Sequence, residues 1–206
     1  LYFNVAAGYE LLVANLEQNQ ALAQSFFKNL RLLFFAAAAL PRSTWNRLQA
    51  LIDKYAGREI PITSSCGATE TSPLCTSVYF SNSIASNIGL PVPGTAVKLA
   101  PVGDLTELRV KGPNIMTGYW QDEAKTTEVF DEEGYFCSGD AVELIDPDKP
   151  AAGLMFKGRV SENFKLLTGT WVNVGELRVA LVEALSPLAV DLVICGHNEA
   201  YLSILV

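Results

Sequence analysis

Apolar residues recur through the first quarter of the chain with a helical period. Tyr9, Leu12, Val13 and Leu16 fall at i, i+3, i+4 and i+7 and therefore share one helix face, and Ala23, Phe27 and Leu30 extend a second helix behind it. The run "RLLFFAAAAL", residues 31–40, predicts a strand buried on both faces that leads into a turn. Trp45, Leu48, Leu51, Ile52 and Tyr55 form the next stripe, begun by Pro41 in the first turn and stopped by Gly57. "EIPITSSC", residues 59–66, follows as another short strand. Helix, strand, helix, strand is the alternation of an α/β fold, with the two strands parallel.

The pattern changes after Asn87. Gly and Pro become frequent in "GLPVPGTAVKLAPVGDLTELRVKGPNI", and between them "AVKLA" and "ELRVKG" alternate as half-buried antiparallel strands do. A loop with Pro147 and Pro150 separates this β-rich stretch from "GLMFKGRV", a further strand. Val174, Leu177, Leu181 and Leu185 then mark a helix closed by Pro187, and "AVDLVICGHNEAYLSILV" predicts two strands around a turn. A helix with two strands is too little to bury a core by itself, so the last stretch reads as the beginning of a further domain. The division expected is 1–87, part of an α/β sheet domain; 88–160, a small β-rich subdomain; and 161–206, the start of a small α+β domain.

Composition sharpens this picture. Half of the 206 residues are hydrophobic and 18% are charged, so disorder is not the default and there is ample material for a core. The longest apolar run, Leu32 to Leu40, falls well short of the roughly 20 residues that cross a bilayer as a helix. No basic region with a following apolar stretch opens the chain as a signal peptide would. It opens instead at Leu1, without Met and already amphipathic, and a piece of something longer is expected. A net charge of -7 without clustered Lys or Arg argues against a nucleic-acid surface, although an acidic protein binds a nucleotide through a few placed groups and a metal. Cys66, Cys75, Cys137 and Cys195 show no metal or redox spacing and read as buried thiols of a reducing cytosol. His197 stands alone, as a turn residue, which removes Ser-His-Asp and Cys-His schemes.

Three stretches are candidates for chemistry. "TSSCGATETSP", 63–73, follows a buried strand directly, where an open α/β sheet presents ligands with backbone amides and hydroxyls. There Gly67 permits close approach, Thr69 offers a hydroxyl to a phosphate oxygen and Glu70 supplies a hard oxygen for Mg²⁺; a Ser/Thr-rich turn capping a helix is the structural alternative. In "GYFCSGDAVEL", 134–144, Asp140 follows a glycine on a tight turn, and its carboxylate can accept from two vicinal hydroxyls such as those of a ribose, or simply close the turn. "ELRVKGPNIMTGYWQDEAKTTEVF", 107–130, shows no titratable group in an obvious pair and reads as scaffold, a strand and a turn where Tyr119 and Trp120 pack.

The order of these motifs, ending in "GRVSENFKLLTGTWVNVGELR" at 158–178, closely resembles the adenylate-forming superfamily of acyl-CoA synthetases, luciferases and peptide-synthetase adenylation domains. "SSCGATETSPL" and "FKLLTGTWVNVGELR" look most like the feruloyl-CoA synthetase branch, which activates aryl or hydroxycinnamic acids. The resemblance implies an ATP-dependent acid:CoA ligase: a carboxylate attacks the α-phosphate of ATP, and the thiol of coenzyme A then displaces AMP. It implies roles residue by residue. Thr69 would hold the α-phosphate, Glu70 would bind Mg²⁺, and Asp140 would accept the ribose hydroxyls with Arg159 in support. Cys66, Gly67 and Ala68 would lie along the nucleotide, with Cys66 where the family usually stacks an aromatic ring on adenine. Ala37 and Ala38 match a glycine-rich stretch that lines the adenine and acyl pockets.

Ser161 matches the family's pivot, with Glu162 beside it, and Lys165 resembles the lysine presented to the site in the thioester-forming pose. A Ser/Thr/Gly-rich phosphate loop and a second catalytic lysine, which the family carries before and after the matching region, are absent, so an inactive fragment is expected. Two alternatives share these motifs: an adenylation domain that loads a carrier protein, and a non-catalytic nucleotide-binding remnant. The expected partner is a small carboxylic acid rather than a nucleic acid or a membrane, the expected location is cytoplasmic, and a homodimer is compatible.

Overall fold

The computed structural model describes residues 1–185, 188–189 and 192–206. The helix stop expected at Pro187 lies outside the described residues. The chain divides into two compact units, Leu1–Pro93 with Ile145–Leu154, and Gly94–Leu144 with Met155–Val206.

The first unit is α/β. β1 (Tyr2–Val5) leads into α1 (Ala6–Gln18) and α2 (Gln20–Lys28), then β2 (Leu33–Ala36), α3 (Arg42–Tyr55) and β3 (Ile62–Cys66). β1, β2 and β3 are parallel neighbours, with Phe34 opposite both Phe3 and Thr63. β4 (Thr76–Ser77) and β5 (Asn87–Pro91) continue the sheet antiparallel. Most of the anticipated stripes are buried, Tyr9, Val13, Leu16, Ala23 and Phe27 from the first two helices and Trp45, Leu48, Leu51 and Ile52 from α3, while Leu12 and Tyr55 are half-buried against them. They form one core with Leu33, Phe35 and Ile62 of the sheet. Full burial of a side chain such as Phe27 or Leu48 stabilises by about 1.5–3 kcal/mol over exposure. Asn19 separates α1 from α2 and caps the latter by accepting the Leu22 N–H at 3.0 Å. At the far end of α2 the Arg58 guanidinium donates to the carbonyls of Phe27, Lys28 and Leu30, which satisfies acceptors that the helix leaves over.

Two expectations are corrected here. The strand at 31–40 is shorter, Leu33–Ala36, and its burial alternates, because the helices cover one face only: Leu33 and Phe35 enter the core while Phe34 turns to Phe3, ring centroids 5.4 Å apart. Ala37, Ala38 and Ala39 are exposed. β1 is a strand that the helical stripe behind it had absorbed.

The second unit carries a sheet in the order β9–β8–β7–β6, formed by β6 (Ala96–Val102), β7 (Leu105–Lys111), β8 (Phe136–Leu144) and β9 (Leu154–Arg159). β6 and β7 are the antiparallel pair expected from their alternation, closed by a turn at Gly103 and Asp104. A short α4 (Glu123–Glu128) lies between β7 and β8, capped by Asp122, which accepts the Lys125 N–H at 3.0 Å. Tyr119 is half-buried, but Trp120 is 89% exposed, so the expected packing of this pair holds for the tyrosine alone. After β9 come β10 (Phe164–Lys165) paired with β11 (Trp171–Val172), α5 (Val174–Leu185), and β12 (Val193–Cys195) paired with β13 (Ser203–Leu205). Val172, Val174, Leu192 and Ile194 form a small core with Leu177, Leu181 and Leu185 against it. His197 lies in the turn between β12 and β13, edge-on to Phe164.

Candidate functional site

In the first unit the parallel arrangement puts the ends of β2 and β3 at one edge of the sheet, where Phe35 faces Ser64. Ala37 and Ala38 follow the first strand, and Gly67, Ala68, Thr69 and Glu70 follow the second. Ala37 has φ 74°, a left-handed conformation that glycine adopts without cost. Gly67 is crowded by its own loop: an added Cβ would lie 2.5 Å from the Leu74 Cα.

The turn Thr69–Thr71 is closed by Thr71, a residue passed over in sequence. Its hydroxyl accepts the Ala68 N–H at 2.8 Å and donates to the Ala68 carbonyl at 3.0 Å, and the side chain is buried. This division of labour matters, because turn-closing is the bland role for a Ser/Thr-rich loop and Thr71 fills it. Gly67, Ala68 and Thr69 are thereby left exposed and Glu70 half-buried at the carboxyl edge of the sheet. Cys66, half-buried, accepts the Cys75 N–H through its carbonyl at 2.9 Å, so the loop leaves and rejoins the sheet at one point.

In the second unit Asp140 sits in a break of the β7–β8 ladder. Glu107 pairs with Ala141 and Arg109 with Cys137, which leaves Ser138, Gly139 and Asp140 opposite Leu108 alone. Gly139 takes φ 72° inside this bulge. Ser138 Oγ donates to the Leu108 carbonyl at 2.6 Å and accepts the Asp140 N–H at 3.1 Å, and the Gly139 carbonyl accepts the Val160 N–H at 2.8 Å. Arg159, at the end of β9, places its guanidinium 2.7 Å from Asp140 Oδ1. Asp140 and Arg159, nineteen positions apart in sequence, are thus one charged pair.

Beneath the bulge lies a network of paired charges, contrary to the expectation that 107–130 is scaffold with no titratable pair. Glu107 accepts from Arg109 Nε at 2.8 Å, Arg109 reaches Asp131 at 3.2 Å, and Asp131 also pairs with Lys98. The alternation hid it: Glu107 and Arg109 are two apart on one strand and face the same side of the sheet. Glu107, aided by Asp131, raises the Arg109 pKa against the opposing effect of burial. Lys98 holds the Asp131 carboxyl well below the usual range, with the Tyr135 N–H and Arg109 assisting. Burial pushes the Cys137 thiol up, and Glu107 adds to it.

Ser161 and Glu162 are exposed in the turn between β9 and β10. Lys165 pairs with Asp104 at 3.1 Å and stands 5.3 Å from the Trp171 ring centroid. Among the described residues no three His, Cys, Asp or Glu side chains gather to hold a metal ion, so Glu70 offers a metal one carboxylate. No described helix is long and apolar enough to cross a membrane.

An exposed Thr69 and a half-buried Glu70 thus stand at the carboxyl edge of parallel strands, where open α/β sheets place their ligands. Residues 1–120 match the family model described as AMP-binding enzyme, and the chain belongs to that family. It is 33% identical over 128 residues to a probable 4-coumarate–CoA ligase 2 of Dictyostelium discoideum, covering 58% of this chain and 22% of that protein. It is 30% identical over 154 residues to a long-chain-fatty-acid–CoA ligase of Yersinia pestis, covering 71% and 26%. Among solved structures, a malonyl-CoA ligase complex with methylmalonyl-CoA and AMP aligns with TM-score 0.65 and 29% identity, over 98% of this chain and 42% of that one. The chain therefore spans about a quarter of the curated relatives it matches.

Proposed function

We propose that the chain is the central part of an ATP-dependent acid:CoA ligase that activates an aromatic or hydroxycinnamic acid as its adenylate and passes it to coenzyme A. The observation that carries this reading is the Asp140–Arg159 pair on a bulge fixed by the hydrogen bonds of Ser138 and of the Gly139 carbonyl. A carboxylate so held can accept both hydroxyls of a ribose while the guanidinium orients it. Thr69 donates its hydroxyl to the α-phosphate of ATP as the acid's carboxylate attacks phosphorus and pyrophosphate leaves. A single half-buried carboxylate fits Mg²⁺, which takes one or two carboxylates and completes its shell with phosphate oxygens and water, and Glu70 is the residue that would hold it. Bound there, the ion would supply charge neutralisation for the pyrophosphate group.

Ala37, Ala38, Cys66, Gly67 and Ala68 line the nucleotide and acyl contacts of the first unit in this reading. Ser161 and Glu162 form the pivot, and Lys165 serves the thioester-forming pose. The aromatic acid is supported by the wording of 64–74 and 164–178 and by the likeness to the Dictyostelium protein.

Calorimetric titration of the 206-residue chain with AMP tests the nucleotide role. Binding is expected, and Asp140→Ala should weaken it by about 10–100-fold, the worth of charge-assisted hydrogen bonds of about 1.5–3 kcal/mol. A silent titration, or an affinity indifferent to Asp140→Ala, refutes the reading. Repeating it with 4-coumaric and palmitic acids beside AMP tests the acid class: preference for the fatty acid would overturn the aromatic assignment.

A further inference from the structure

Glu107 is only 7% exposed, and nothing in the adenylate chemistry above employs it. A carboxylate that far from water is costly unless its oxygens are paired. Both are. Oε2 accepts from Arg109, and Oε1 accepts the backbone N–H of Gly139 at 3.0 Å. In an unbroken antiparallel ladder a carbonyl of β7 would take an N–H at that place. The extra residues of the bulge carry the Gly139 amide out of register, and a side chain from the opposing strand takes over. Arg109 is itself anchored by Asp131, so the orientation of the Glu107 carboxylate is fixed from behind. The relay from Asp131 through Arg109 to Glu107 ends on the N–H of Gly139, the residue that precedes Asp140.

We propose that Glu107 is a positioning residue for nucleotide binding: it holds the Gly139 amide, sets the bulge, and so keeps Asp140 in place to receive a vicinal diol. This inference rests on the assignment of Asp140 to the ribose. A pair that merely stabilised the sheet would have no reason to engage the amide beside Asp140, and would affect all ligands of the unit alike.

The test uses the full 206-residue chain with Glu107→Leu and Glu107→Gln. Amide hydrogen exchange at Gly139 should quicken by about tenfold or more in Glu107→Leu, with the Leu99 amide of β6 unchanged. Wild type should bind AMP more tightly than 2′,3′-dideoxy-AMP. Glu107→Leu should lower AMP affinity about tenfold and leave the dideoxy nucleotide unaffected, so that the discrimination collapses. Glu107→Gln keeps the volume and one acceptor oxygen, which can serve Gly139 or Arg109 but not both. It should show both effects at about threefold, and carries the test if the leucine variant does not fold. Unchanged Gly139 exchange, or discrimination preserved while exchange rises, overturns the proposal. Equal affinity of wild type for the two nucleotides removes the ribose assignment and this role with it, while the exchange result still decides separately whether Glu107 holds the bulge.

Discussion

Ala37 offers a sharp test of how the loop after β2 is built. An alanine at φ 74° suffers the clash between Cβ and the following carbonyl that makes left-handed backbone cost roughly 1–2 kcal/mol. Ala37→Gly removes that cost but gives the unfolded chain more freedom, a penalty of about 0.4–1 kcal/mol. The alanine is exposed, so its methyl contributes little packing. The net expectation is stabilisation by about 0.5–1 kcal/mol. Ala38 is the control: it is equally exposed and is not among the residues with positive φ. Ala38→Gly carries the entropic penalty without the relief and should destabilise by about 0.4–1 kcal/mol. Urea unfolding followed through Trp45, which packs against Phe35 in the core of the first unit, reads both variants. Opposite signs at adjacent alanines are the prediction. If both variants lose stability to the same extent, the left-handed assignment at Ala37 is wrong.

Two further outcomes are expected. Thr71→Val keeps the shape of a buried side chain but strands the Ala68 N–H; destabilisation by about 1–3 kcal/mol should follow in urea titration, and a neutral result would mean that the turn is closed by something else. The Asp131 carboxyl has a folded pKa below its unfolded value of about 3.9, so its contribution is complete above that value and is lost as pH falls toward the folded one. Between neutral pH and about pH 3 the wild type should lose more stability than Asp131→Asn, and equal losses would refute the linkage.

Periodicity revealed the elements that bury a single broad face. Tyr9, Val13 and Leu16, or Leu48, Leu51 and Ile52, announce their helices because each stripe meets one continuous core. β1 is not legible in the sequence because its four residues run without punctuation into a helix that begins at Ala6. The chemistry-bearing loops were legible as residue types, Thr69 with Glu70 and Asp140 behind its glycine. Their supports were not. That Thr71 rather than Thr69 closes the turn depends on which hydroxyl folds inward, and that Glu107 reaches Gly139, 32 positions away, depends on a ladder offset. Trp120 differs for a related reason: an aromatic beside a tyrosine suggests packing, but it sits in a turn with its ring outside.

The break at Ser138–Asp140 also bears on which length changes the chain could absorb. Across it β8 advances four positions while β7 advances two, and the surplus is even. Side chains before and after the break therefore keep the same parity, which lets Phe136 on one side and Val142 on the other both stay buried. Deleting two residues would restore a plain ladder without disturbing the facing of either end. Deleting one would invert every side chain beyond it, so the strand's tolerance is set by arithmetic as much as by the identity of the residues removed.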